Sequence, residues 1–147
     1  MGLDMFLSKK IYVGANYDFE NVKATVHITK NGVPIDINPK KIKYIVEEQA
    51  YWRKANQIHK WFVDNVQGGD DDCKPYEVSG EQLLELVKLC KKVLKKKELA
   101  EELLPTQEGF FFGSTDYNEG YYQDLIDTIK QLKDVNKDYW YTYQSSW

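Results

Sequence analysis

With 147 residues, of which 42% are apolar and 14% aromatic, the chain has enough material for one folded core and too little for two comfortable ones. Its formal net charge of −3 and pI near 5.4 exclude the basic face expected of a duplex nucleic-acid binder. The two cysteines, Cys73 and Cys90, make neither a disulfide framework nor a zinc-ligand set. No apolar run nears the about 20 residues of a membrane span, and Met1-Gly2-Leu3-Asp4-Met5-Phe6 carries no secretory or lipidation pattern. A cytoplasmic protein without a membrane partner is therefore expected.

Leu3 to Val13 reads as a strand, and Val22, Ala24, Val26 and Ile28 then alternate with polar residues, the period of a half-buried sheet. Asn31-Gly32 supplies the positive φ angles of a tight hairpin into residues 33–37, where Pro34 places the returning strand at an edge. Lys41 to Glu48 offers a further strand. A first helix is expected from Ala50 to Val66, with Trp52, Ala55, Ile58, His59, Phe62, Val63 and Val66 on one arc. Arg53, Asn56 and Lys60 would border that arc, and Trp61 would fall on the polar side. Ser79 and Gln82 have capping-box spacing ahead of a second helix through Leu94. The lysines from Lys91 to Lys97 read as a solvated helix end. Gly109-Phe110-Phe111-Phe112-Gly113 is a short apolar run with Phe110 and Phe112 on a core face and Phe111 turned the other way. A third helix from Tyr121 to Val135 could be capped by Asp116 with Glu119 or by Asn118, and Tyr139 to Tyr143 returns as a strand of the main sheet. The expected class is α+β, an antiparallel sheet with three main helices in a single domain over residues 1–147.

Arg53 is the only arginine among 20 basic residues, and it lies in the densest aromatic-polar segment of the chain. A guanidinium offers a flat, stackable fork with five donors that an ammonium lacks. With Trp52, Asn56 and Lys60 it could form a border on which a planar anion is stacked and gripped; alternatively it forms a structural ion pair with one of the 23 carboxylates. His59 on the apolar arc is a core histidine or a catalytic base. Asp70-Asp71-Asp72 is a solvated turn or a cation site, and it lacks the spacing of a calcium loop. Cys73, beside those aspartates, is a poor nucleophile, and Cys90 belongs to the core. Gly113-Ser114-Thr115 leads into a helix start that could hold phosphate, although capping carboxylates compete there.

The blocks Met1-Gly2-Leu3-Asp4-Met5, Tyr51-Trp52-Arg53-Lys54-Ala55-Asn56 with Ile58-His59 and Trp61-Phe62, Asp71-Asp72-Cys73, Leu103-Leu104-Pro105-Thr106-Gln107 with Gly109 to Thr115, and the closing Tyr143-Gln144-Ser145-Ser146-Trp147 resemble a family of small uncharacterised proteins of bacteria and their phages. The resemblance implies a bacterial cytoplasm and an accessory role such as countering host defence, and it brings no activity with it. The residues lead to a non-enzymatic binding protein with no cofactor or metal. Its pocket would be built from the first helix and the loop from Thr106 to Tyr117, and its ligand would be small, anionic and nucleotide-like. The expected lining is Trp52, Arg53, Asn56, His59, Lys60, Trp61, Thr106, Gln107, Phe111, Ser114 and Tyr117. Two other readings are open: an interaction or homo-oligomeric module using exposed aromatics such as Trp61 and Trp147, and a hydrolase or nuclease dependent on His59.

Overall fold

Met5 and Leu7 are buried while Phe6 between them is exposed, the alternation that makes the first segment a strand with one wet face. The structure is a computed structural model that describes residues 2–14 and 26–147. In chain order its elements are β1 (Asp4–Tyr12), β2 (Thr29–Lys30), β3 (Val33–Pro34), β4 (Tyr44–Arg53), α1 (Asn56–Asn65), β5 (Tyr76–Ser79), α2 (Gly80–Lys95), α3 (Ala100–Leu103), α4 (Glu119–Gln131) and β6 (Trp140–Ser146). They divide into two compact units, Met1–Lys9 with Glu48–Trp147, and Lys10–Glu47.

The larger unit is α+β. Its antiparallel sheet has the strand order β4-β1-β6-β5, so the last strand in the sequence lies between the first and β5. Leu7 stands opposite Tyr143 and Met5 opposite Ser145, while Val78 stands opposite Tyr141. This register lines Ala50, Trp52, Met5, Leu7, Tyr141, Tyr143 and Val78 along one buried face. The helices meet that face. Phe62 of α1 stacks on Tyr143 at 3.8 Å between centroids with the rings 4° from parallel, and Trp52 Nε1 donates to Thr128 Oγ1 of α4 at 2.9 Å. Fully buried leucine, isoleucine and phenylalanine side chains of this kind contribute about 1.5–3 kcal/mol each.

The helix expected from Ala50 begins at Asn56 instead, because Tyr44 to Arg53 is a strand. Its Tyr, Ile, Val and Trp content favours a pleated, half-buried surface, and Ala50 and Trp52 turn inward while Tyr51 and Arg53 turn out. Lys54 at φ 57° ends the strand. The outer edge of β4 is not left bare: the Tyr51 amide donates to Gln131 Oε1 at 2.9 Å and the Gln49 side chain donates to the Gln131 carbonyl at 2.8 Å.

Local signals elsewhere hold. Ser79 and Gln82 make both bonds of a capping box at the start of α2. Asn118, rather than Asp116, caps α4, which ends at Gln131 with Val135 buried in the turn beyond it. A Cβ on Gly80 would lie 1.9 Å from the Asn136 carbonyl oxygen, so the first residue of α2 must be glycine. The phenylalanine run forms a turn, with the Phe112 amide donating to the Gly109 carbonyl at 3.2 Å. Only Phe112 is buried; Phe110 is 76% exposed, contrary to its expected core position.

In the smaller unit, Asn31 (φ 52°) and Gly32 (φ 77°) make the expected hairpin, pairing Thr29 with Pro34 and Lys30 with Val33. Val22 and Ala24 lie outside the described residues, and Val26 to Ile28 precede the ladder instead of belonging to it. No described helix is long and apolar enough to cross a membrane.

Candidate functional site

The strand conformation of residues 44–53 separates the pair on which the sequence reading turned. Successive side chains of a strand point to opposite faces, so Trp52 is in the core, 4% exposed, and Arg53 is on the wet face. The Arg53 guanidinium donates to Asp4 Oδ1 at 3.0 Å and Oδ2 at 3.4 Å, and the Tyr51 hydroxyl donates to the same Asp4 Oδ1 at 2.5 Å. The Tyr51 hydrogen bond, with the Arg53 charge behind it, holds the Asp4 carboxyl below its ordinary range. Arg53 thus has an acidic partner and remains about half exposed, with a side-chain exposure of 53%.

Several of the other expected lining residues hold the scaffold together. Asn56, 1% exposed, donates to the Phe112 and Ser114 carbonyls at 3.1 and 2.9 Å and accepts from the Gln107 amide at 2.9 Å. One side chain therefore clamps the loop at three points. Thr106 Oγ1 donates to the Thr115 carbonyl, and its amide donates to the Tyr117 hydroxyl, closing the same loop across its base. Lys60 pairs with Asp64 one turn on. Trp61 is 8% exposed with its ring edge-on to Phe62, not on a polar face. The amphipathic projection failed because six of the ten residues of α1 are buried; this helix is enclosed on more than one side.

His59 is fully buried, and both ring nitrogens are bonded: Nδ1 to the Tyr143 hydroxyl at 2.7 Å and Nε2 to Asp71 Oδ2 at 2.9 Å. Burial keeps the Tyr143 hydroxyl protonated far above its ordinary range. The Asp71 carboxylate can only accept, so Nε2 carries the hydrogen, and in that neutral tautomer Nδ1 accepts from the Tyr143 hydroxyl. Asp71 Oδ1 also accepts from Trp147 Nε1 at 3.0 Å. The chain Tyr143–His59–Asp71–Trp147 therefore ties the C-terminal strand to the loop after α1, and His59 presents no free nitrogen to a substrate. Asp72 caps its own turn, accepting from the Lys74 amide and the Tyr76 hydroxyl. Cys90 is core, its thiol pushed up to about 12 by burial.

The structure does offer a concavity where the first helix meets the loop. A groove of about 260 Å³ lies between Lys54 and Gln57, the loop residues Gly113, Ser114, Asp116 and Asn118, and Gly120, Tyr121 and Asp124 on α4. Of the expected residues only Ser114 lines it. The sequence does not single out Lys54, which adjoins the more conspicuous Arg53, nor Gln57 and Asp124, which no spacing joins across 67 residues. Burial pushes the Asp124 carboxyl up, while the Gln57 amide pulls it down. Outside that lining, a Cβ on Gly2 would lie 3.3 Å from Lys54 Cε, 3.5 Å from an Arg53 guanidinium nitrogen and 3.8 Å from the Phe111 carbonyl oxygen. Two cations and the phenylalanine turn therefore meet around Gly2. Lys54 and Phe111 both have left-handed backbone, φ 57° and 61°, a conformation that costs energy in a residue with a side chain. No family model, curated protein or solved structure matches the chain.

Proposed function

We propose that the protein is a non-enzymatic binding domain for one small, anionic, ring-bearing ligand, seated in the groove beside Lys54 and serving an accessory role in a bacterial or phage setting. The observation that carries this reading is the lining of that groove, which joins the cation Lys54 to the aromatic ring of Tyr121, while Arg53 meets Lys54 around Gly2 outside the lining. The lining has one cation and two carboxylates, so an anionic group belongs at the Lys54 end, with its ring directed toward Tyr121. Sites for drug-sized ligands occupy roughly 300–1,000 Å³. At about 260 Å³ the groove suits a mononucleotide-sized molecule rather than a dinucleotide. The fully bonded state of His59 favours binding over hydrolysis.

A thermal-shift series with nucleoside monophosphates tests the proposal. Ligand at a hundred times its Kd adds about 2.7 kcal/mol, which for a domain of this length is on the order of 8–10 °C. Lys54→Gln should remove most of the shift and Arg53→Lys part of it. Absence of a shift with every monophosphate, or equal shifts in Lys54→Gln, would refute it.

A protein-interaction reading is favoured by a different observation. Phe6 and Tyr51 touch on the wet face of the sheet at 5.4 Å between centroids, and Trp140, 62% exposed, turns to the same side. Light scattering of the wild type and Trp140→Ser tests its homo-oligomeric form: a monomer in both removes it.

A further inference from the structure

Gln57 is 2% exposed, yet its amide is only half used. Nε2 donates to the Tyr121 carbonyl at 3.2 Å and to Asp124 Oδ2 at 3.1 Å. Both partners are acceptors, which fixes the orientation of the amide: the NH₂ must face them, and Oε1 must face away. Among the described residues no donor reaches that Oε1, although Gln57 lines the groove. Gln57 Oε1 is not among the sealed, unpartnered polar atoms of the described residues, which are Gln67 Oε1 and Ser145 Oγ, so it opens to the groove with its acceptor sites unfilled by the protein. Asp124 lies beside it, on the same groove wall, with its carboxyl raised by burial. This part of the groove therefore holds an amide oxygen with no donor and a carboxylate that accepts one bond, from Gln57 Nε2, and the same lining includes Lys54, which forms no ion pair among the described residues.

Resting on the binding reading above, we infer that the ligand presents adjacent N–H donors to Asp124 and Gln57 Oε1 while its anionic group lies at Lys54, the pattern of a guanine mononucleotide. Guanine carries N1–H and the N2 amino group side by side on one edge, two donors for a carboxylate and an amide oxygen that line the same groove. Adenine places the acceptor N1 on that edge, and hypoxanthine keeps N1–H but lacks the amino group. A site built from buried acceptors discriminates by leaving them unpaired when the wrong ring enters. Each missing donor should weaken binding about tenfold or more.

Isothermal titration of the full chain at neutral pH with guanosine, inosine and adenosine 5′-monophosphates tests this, with Asp124→Asn and Lys54→Gln as variants and thermal melting as the check that each is folded. The expected order is guanosine, then inosine about tenfold weaker, then adenosine weakest. Asp124→Asn should compress that order to within about threefold, whereas Lys54→Gln should weaken all three nucleotides alike and keep their order. Equal affinities in the wild type, or an order unchanged in Asp124→Asn, would overturn the donor-edge inference and leave the binding proposal standing. Failure of all three to bind the folded wild type would overturn both.

Discussion

Removing the hydrogen bond between His59 and Tyr143 should show the coupling expected of two polar groups that are buried only because they have each other. In Tyr143→Phe the ring keeps its 3.8 Å stack on Phe62, but His59 Nδ1 loses its donor in a fully buried site. An orphaned buried acceptor costs about 1–3 kcal/mol. In His59→Leu the Tyr143 hydroxyl is the orphan, at a similar cost, while Asp71 can turn to water because its side chain is 28% exposed. The double variant removes both polar ends, so its loss should fall short of the summed single losses by about 1–2 kcal/mol. Urea unfolding followed by tryptophan fluorescence measures each. With m of about 1.5 kcal/mol/M, a loss of 2 kcal/mol moves the midpoint by about 1.3 M. Single losses that add to within about 0.3 kcal/mol would refute the idea that this bond satisfies a buried pair.

Asp124 should oppose stability at neutral pH. Its folded carboxyl pKa lies above the ordinary 3.8, so between that value and the raised one the folded state holds the extra proton. Stability from this group therefore falls as pH rises through that window. Asp124→Asn should be more stable than wild type at pH 7, with the advantage vanishing below about pH 3.8; a variant that is less stable throughout contradicts the assignment. Ser79→Ala removes one bond of the α2 capping box directly and should cost about 1 kcal/mol by urea unfolding, whereas a loss under about 0.3 would mean that Gln82 sustains the cap alone. Gly80→Ala drives a Cβ to 1.9 Å from the Asn136 carbonyl and should destabilise by about 3 kcal/mol or more; a wild-type melting temperature would show that this turn yields freely.

The features legible in the sequence are those fixed by neighbours within a few residues. The Asn31-Gly32 turn, the Ser79–Gln82 box, and the alternation of β1 and β6 each depend on one short run of side chains, and each appears where its chemistry requires. The start of α1 is ambiguous in the sequence for a reason equally local. Trp52, Ala55, Ile58 and Phe62 fit a helical arc, but Ala50 and Trp52 also fit a strand that alternates with Tyr51 and Arg53, and short apolar stretches satisfy both periods. Burial of α1 on several sides removes the polar face that would arbitrate, so Trp61, which a helical projection sends to water, is core.

That shift of a few residues decides which groups can share a ligand. On a helix, Trp52 and Arg53 would be neighbours about 100° apart and could flank one ring. On a strand they are opposed, so one serves the core and the other the surface. What moves into their place is Lys54, turned by its left-handed backbone toward Gly2 and the loop at Gly113, where a Cβ would lie 3.0 Å from its own. A residue in relaxed extended backbone would continue β4 and carry the chain past the groove, whereas the reversal at Lys54 starts α1 at once and brings Gln57 against Tyr121 and Asp124. The same backbone step therefore ends the strand that holds Arg53 and sets Gln57 in the lining of the groove.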